Sequence, residues 1–231
     1  MPITERSEAR RPAPAIQPTP KQLAGIKAVL FVLCLVPLAH LAYGIFTDSL
    51  GANPIEAVIR GLGDWALRLL LVTLSVTPLR RLSGWHWLLR LRRMLGLFVF
   101  FYALLHVVCY LWVDQFFDWP AIFADILKRP FITVGFTAFV LLIPLAATSN
   151  NAMIRRLGGK RWQSLHRLVY AISILAVVHF WWMVKLDVTQ PFIYAVILTA
   201  LLGSRLFWRW RDLVTQRGIT RSRPANYSLK G

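Results

Sequence analysis

A chain of 231 residues in which 57% are hydrophobic and only 16% charged is too apolar for a soluble domain, and has the balance of a multi-pass membrane protein. Its formal charge of +17 would suit nucleic acid, but the basic residues lie between apolar runs and not on one polar face, so nucleic-acid binding is set aside. Cys34 and Cys109 each sit inside an apolar run with no CxxC or metal spacing, which argues against a disulfide framework and an iron–sulfur cluster.

Residues 1–22, rich in Pro, Arg and Ala, read as a disordered cytoplasmic tail. Six apolar stretches follow, at about 25–46, 63–79, 94–113, 131–148, 164–184 and 191–208. Each is near the ~20 residues that a helix needs to cross ~30 Å of hydrocarbon. The first is too long for a signal-peptide core and reads as a retained span. The second is short and carries Asp64 and Arg68. Pro78, Pro130 and Pro191 fall at span ends, whereas Pro37 and Pro144 fall inside spans and are expected to kink them. Residues 209–231 form a basic tail. The expected fold is all-α: an integral membrane bundle of six transmembrane helices over 23–208, with no soluble domain.

Orientation follows from the basic residues. With the N-terminus inside, only Arg60, Arg68, Lys128, Arg129 and Lys185 of the 27 Lys and Arg fall on the outer side. So strong a positive-inside bias makes both termini cytoplasmic. Trp112, Trp119, Trp162, Trp181, Trp182 and Trp208 lie at span ends, as an interfacial belt requires.

Besides His40 on the first span, which has no depth-matched partner, His106, His166 and His179 fall within spans. Hydrocarbon penalises a charge at mid-bilayer by about 2.5–3.5 kcal/mol, so imidazoles kept there need a reason. The third and fifth spans both run outward, and at ~1.5 Å per residue His106 and His179 reach similar depths in the outer half. One such histidine is ordinarily an interhelical hydrogen-bonder. Two at matched height on parallel helices favour axial ligation of one haem between them. His166 lies thirteen residues before His179, which on an ideal helix sets the two about 140° apart. The position fourteen residues before His106 is Arg92, so a second bis-histidine site is not spelled out. His166 is left with three readings: a second haem with an unrecognised partner, a flavin or quinone contact, or a hydrogen bond within the bundle. His40 and His86 read as structural or interfacial.

Asp64 and Arg68 are spaced i, i+4 on the second span. They form either a mutual ion pair or a site at which Arg68 faces a haem propionate or quinone head group. Arg92, Arg93, Lys160 and Arg161 mark the cytoplasmic boundary as anchors, with the phosphate of a flavin nucleotide as the second reading.

The strings GDWALRLLLVTLSVTPLRRL, RRMLGLFVFFYALLHVVCYLW, LKRPFITVGF and KRWQSLHRLVYAISILAVVHFWWMVK resemble the haem-binding MsrQ family (formerly YedZ), over about residues 23–208. That family belongs to the wider ferric-reductase-like transmembrane group. The resemblance implies a haem b subunit of the bacterial inner membrane. It would pass electrons from respiratory quinones to MsrP, a periplasmic molybdopterin enzyme that reduces methionine sulfoxide in envelope proteins. It further implies that the haem-linked histidines are His106, His166 and His179, and that FMN is associated with the chain. Without a fused flavin domain, electrons would come from a quinol or from a separate cytosolic flavin reductase. Two competing readings are a stand-alone ferric or cupric reductase and a proton-coupled transporter whose histidines relay protons.

Overall fold

The computed structural model describes residues 17–184 and 186–221, and among these every regular element is helical. Most of the tail expected at 1–22 lies outside the described residues, as does the end of the basic tail beyond Arg221. Helix α1 (Pro20–Phe46) opens on a capping box in which Thr19 and Gln22 satisfy each other's backbone amides. Helix α2 (Pro54–Ser83) is capped by Asn53 and closed by the left-handed Gly84. A 3-10 turn at His86–Arg90 leads into α3 (Arg92–Val108), which continues as a π-helical stretch over Cys109–Asp114. Then come α4 (Trp119–Lys128), α5 (Pro130–Ala147), α6 (Asn151–Leu157), α7 (Gly159–His166), α8 (Leu168–Met183) and α9 (Thr189–Arg221).

Among the described residues five helical stretches are long and apolar enough to cross a membrane: Pro20–Phe46, His86–Asp114, Pro130–Ala147, Gly159–Met183 and Thr189–Thr215. Helix α2 has the length, 30 residues, but Arg60, Asp64 and Arg68 make it more polar than these five. It nevertheless supplies much of the interior: Leu62, Leu67, Leu70 and Leu74 are buried against Leu95, Phe98, Val99 and Tyr102 of α3. The second tight pair is α5 on α8, with Ala138, Leu142 and Leu145 packed among Val169, Ile172 and Val177. These two pairs form the centre of the bundle, and α9 packs on both α2 and α8. Arg205 of α9 donates to the Leu74 carbonyl of α2 and lies over the ring of Tyr170, tying three helices together.

Pro37 shows how the chain handles a missing donor. Tyr102, wholly buried, inserts its hydroxyl into the α1 ladder beside the proline. It accepts from the Leu38 N–H (3.2 Å) and donates to the Cys34 carbonyl (2.7 Å). A hydroxyl thus replaces the i→i−4 bond at the point where Pro37 has already opened the helix. A second departure from ideal geometry falls at Arg167, between α7 and α8. There the Arg167 N–H reaches both Gln163 and Ser164, and Tyr170 bonds back only three residues to Arg167. The ideal-helix angle between His166 and His179 therefore does not hold across this tightened turn.

Candidate functional site

Two cavities lie between the central helix pairs. The first, about 470 Å³, is an open cleft lined mainly by α2, α3, α5 and α8. Its walls are apolar (Leu67, Leu70, Val99, Phe136, Phe139, Leu142), and His106 and His179 face into it. Toward one end it becomes polar, reaching Asn53, Glu56, Arg60, Asp114 and Arg129. An apolar cleft of this size with a few convergent polar groups is the ordinary form of a cofactor site.

The two imidazoles are 6.3 Å apart between ring centroids, with planes at 77°. Each ring is oriented by a backbone carbonyl of the neighbouring helix. His106 Nδ1–H donates to Ile59 O of α2 at 2.8 Å, and His179 Nδ1–H donates to Phe131 O of α5 at 2.6 Å. A carbonyl can only accept, so the proton belongs on Nδ1 and leaves Nε2 of each ring as a free base. This is the tautomer a metal ligand requires. Two metal–imidazole bonds of about 2 Å, together with the half-widths of two rings, come to about 6 Å between centroids. The separation would suit one metal held by both rings, and the apolar walls would suit a large ring system beside it.

Glycine makes room for both rings. A Cβ on Gly135 would lie 2.6 Å from His179 Nδ1, and a Cβ on Gly63 would lie 3.2 Å from His106 Nδ1 and Cε1. The chain places no cluster of three or more His, Cys, Asp or Glu suited to a bare metal ion among the described residues. The donor set is two neutral imidazoles in an apolar cleft, which suits a haem better than a hydrated cation.

The second cavity, about 490 Å³, lies toward the opposite end and is lined by Thr73, Arg92, Arg93, Trp162, Gln163, His166, Arg167 and Tyr170. Leu70, Val99 and Leu142 line both cavities and form the layer between them. His166 is set up differently from the other two histidines. Trp162 stacks on its ring at 4.0 Å, and its Nε2 meets the Thr148 hydroxyl at 3.1 Å. That hydroxyl donates its proton to Pro144 O, so the imidazole donates to Thr148. Among the described residues no second imidazole lines this cavity.

Arg68 lines neither cavity. Its Nε donates to the Tyr194 hydroxyl of α9 (2.8 Å), its guanidinium lies over Trp65, and Asp64 stands 3.7 Å away. The arginines at the polar end of the first cavity are Arg60 and Arg129, each paired within its own helix or just before it, to Glu56 and Asp125. Sequence reasoning passed over both, and over Gly63 and Gly135. The only signal for the glycines was their position inside otherwise apolar helices, where glycine ordinarily weakens the helix and asks for a packing reason. His40 and His86 are exposed and belong to neither cavity.

A membrane bundle with paired imidazoles between its central helices defines a class of redox membrane protein. Residues 62–177 match the family described as ferric reductase like transmembrane component, a match that contains His106 and His166. The chain is 63% identical over 196 residues to the protein-methionine-sulfoxide reductase heme-binding subunit MsrQ of Azospira oryzae, covering 84% of each chain. It is 59% identical to the protein of that name from Herminiimonas arsenicoxydans, over 84% of this chain and 90% of that one. The Ralstonia nicotianae relative is 54% identical, over 83% and 89%. The chain belongs to the MsrQ family.

Proposed function

We propose that the protein is a haem b electron carrier of the bacterial inner membrane, passing electrons from respiratory quinones to the periplasmic methionine sulfoxide reductase MsrP. The observation that carries this reading is the His106–His179 pair, 6.3 Å apart, with both Nδ1 atoms tied to carbonyls and both Nε2 atoms left as free bases. His106 and His179 would hold the haem, which would supply single-electron transfer there. The chain's own residues do the rest. The carbonyls of Ile59 and Phe131 orient the ligands, the leucine and phenylalanine walls exclude water, and Arg60 and Arg129 offer positive charge to carboxylates at the polar end.

In this reading α2 is the sixth span, both termini are cytoplasmic, and the polar end of the first cavity faces the periplasm. The charges of α2 support it, because Arg60 and Arg68 each have an acidic partner four residues away and Arg68 has Tyr194 besides. The second cavity then lies toward the cytoplasm. Its three arginines, Trp162 and Gln163 suit an electron-donating ligand with a planar ring, either a quinol head group or the FMN of the family. Methionine sulfoxide chemistry is left to MsrP, and a cytosolic flavin reductase is a further donor.

The test is an optical spectrum of detergent-purified protein, oxidised and then reduced, with haem counted per polypeptide. Split α and β bands on reduction, lost in His106→Ala and in His179→Ala but kept in His40→Ala, are expected. Full haem content in either of the first two variants would remove the ligand assignment. Addition of MsrP with methionine sulfoxide should then reoxidise the quinol-reduced protein, and failure to do so would remove the partner.

A further inference from the structure

The two haem-facing histidines are held by the same local device, used once on each central helix pair. On α2, Ile59 supplies the carbonyl that orients His106, and the residue four positions later is Gly63. On α5, Phe131 supplies the carbonyl that orients His179, and the residue four positions later is Gly135. In an α-helix the N–H at i+4 points at the carbonyl of i, so the side chain at i+4 lies beside any outside group that shares this carbonyl. At both positions the ring lies within 3.2 Å of where that side chain's Cβ would stand. The glycine and the shared carbonyl therefore act as one unit: the carbonyl sets the tautomer, and the missing Cβ sets how closely the ring lies.

We propose that Gly135 and Gly63 are positioning residues for the axial ligands, fixing the rotation of the His179 and His106 rings through the Phe131 and Ile59 carbonyls. This rests on the haem reading above. The two sites are unequal. At Gly135 a Cβ would sit at 2.6–3.0 Å from Nδ1, Cε1 and Cγ, closer than van der Waals contact allows, so the ring must leave its carbonyl. At Gly63 the nearest ring atoms are 3.2 Å away, so a shift of a few tenths of an ångström suffices. Gly25 and Gly203 have open space where a Cβ would go, line neither cavity, and serve as controls. Ring orientation has a direct spectroscopic readout. Imidazole planes at 77° are near perpendicular, an arrangement that gives low-spin ferric haem a highly anisotropic electron paramagnetic resonance signal.

The experiment compares the full-length parent with Gly135→Ala, Gly63→Ala, Gly25→Ala and Gly203→Ala. It measures haem per polypeptide, the low-spin resonance signal and the midpoint potential. Loss of an orienting hydrogen bond to a metal-ligating histidine costs about 10–100-fold in affinity, and that is the fall expected for Gly135→Ala. Gly63→Ala should keep its haem with a shifted resonance signal and potential, and the two controls should match the parent. If Gly135→Ala does not accumulate in the membrane, Gly63→Ala decides by its signal and potential alone. Parental signal and potential in Gly63→Ala and any recovered Gly135→Ala, or equal shifts in Gly25→Ala, overturn the inference while leaving the carrier reading intact. A parent protein that takes up no haem overturns both.

Discussion

Replacing Tyr102 by Phe removes one oxygen from a wholly buried position, and the loss can be sized from what that oxygen touches. The hydroxyl stands in for the Leu38-to-Cys34 bond of α1, accepting at 3.2 Å and donating at 2.7 Å. Without it, α1 either closes its own i→i−4 bond or leaves a donor and an acceptor unpaired in an apolar interior. Side-chain hydrogen bonds between membrane helices average about 0.6 kcal/mol and reach about 1.7 kcal/mol. The first outcome belongs near the lower figure and the second near the upper, about three- to twenty-fold in the unfolding equilibrium. Because Pro37 keeps the neighbouring turn from donating, the upper half of the range is expected. Tyr102→Ala should cost more, about 3–5 kcal/mol, since it also empties the space of a ring packed edge-on against Phe101 at 5.6 Å. The assay is sodium dodecyl sulfate titration of protein in mixed micelles, followed by helical circular dichroism. A Tyr102→Phe protein at least as stable as its parent would refute the reasoning, because it would mean that α1 heals across Pro37 at no cost.

Three further expectations concern the cavities. Arg60→Ala and Arg129→Ala each remove a positive charge from the polar end of the histidine cavity, and each should lower the midpoint potential in a redox titration, because nearby cations favour the electron-rich reduced state. Arg68→Ala should leave that potential unchanged and lower resistance to denaturant instead, since Arg68 is spent on Tyr194 and Trp65. Thr148→Val takes away the acceptor of His166 Nε2–H, and should slow reduction by quinol in stopped flow while the dithionite-reduced spectrum stays parental. An unchanged quinol rate would detach His166 from electron delivery.

The five helical stretches long and apolar enough to cross a membrane were legible because an apolar run of that length has few other uses, and the nearness of His106 to His179 followed from counting residues along two helices. Other features depend on how one helix is rotated against another, which a linear pattern does not encode. Helix α2 extends well beyond the 63–79 stretch because Asn53 and Gly84 set its ends, and these lie outside its apolar part. Asp64 and Arg68 were legible as an i, i+4 pair, but only the packing of α9 supplies Tyr194 as the third member. The π-helical stretch after Val108, the short amphipathic α4 and the tightened turn at Arg167 carry no distinctive residue signature. Gly63 and Gly135 were visible as glycines, yet their meaning depends on which ring arrives from the neighbouring helix.

The three span histidines share a residue type and an apolar setting, and the chain treats them in two ways. His106 and His179 each spend Nδ1 on a carbonyl beside a glycine, so that Nε2 stays free in the first cavity. His166 meets a threonine hydroxyl through Nε2 and lies under Trp162, so its ring is held from a different side. A chain that needed imidazole only for interhelical hydrogen bonds would gain nothing from two glycines that weaken their helices by about 1 kcal/mol each relative to alanine. Gly63 and Gly135 stand against the two rings whose Nδ1 atoms are tied to carbonyls, a placement that suits a ligand pair of fixed orientation. In a relay each histidine must exchange protons at both nitrogens, and a carbonyl that fixes Nδ1–H blocks one of them. The division of labour therefore favours a metal held between His106 and His179 over proton transfer along all three, with His166 left to serve the cavity on the other side of Leu70, Val99 and Leu142.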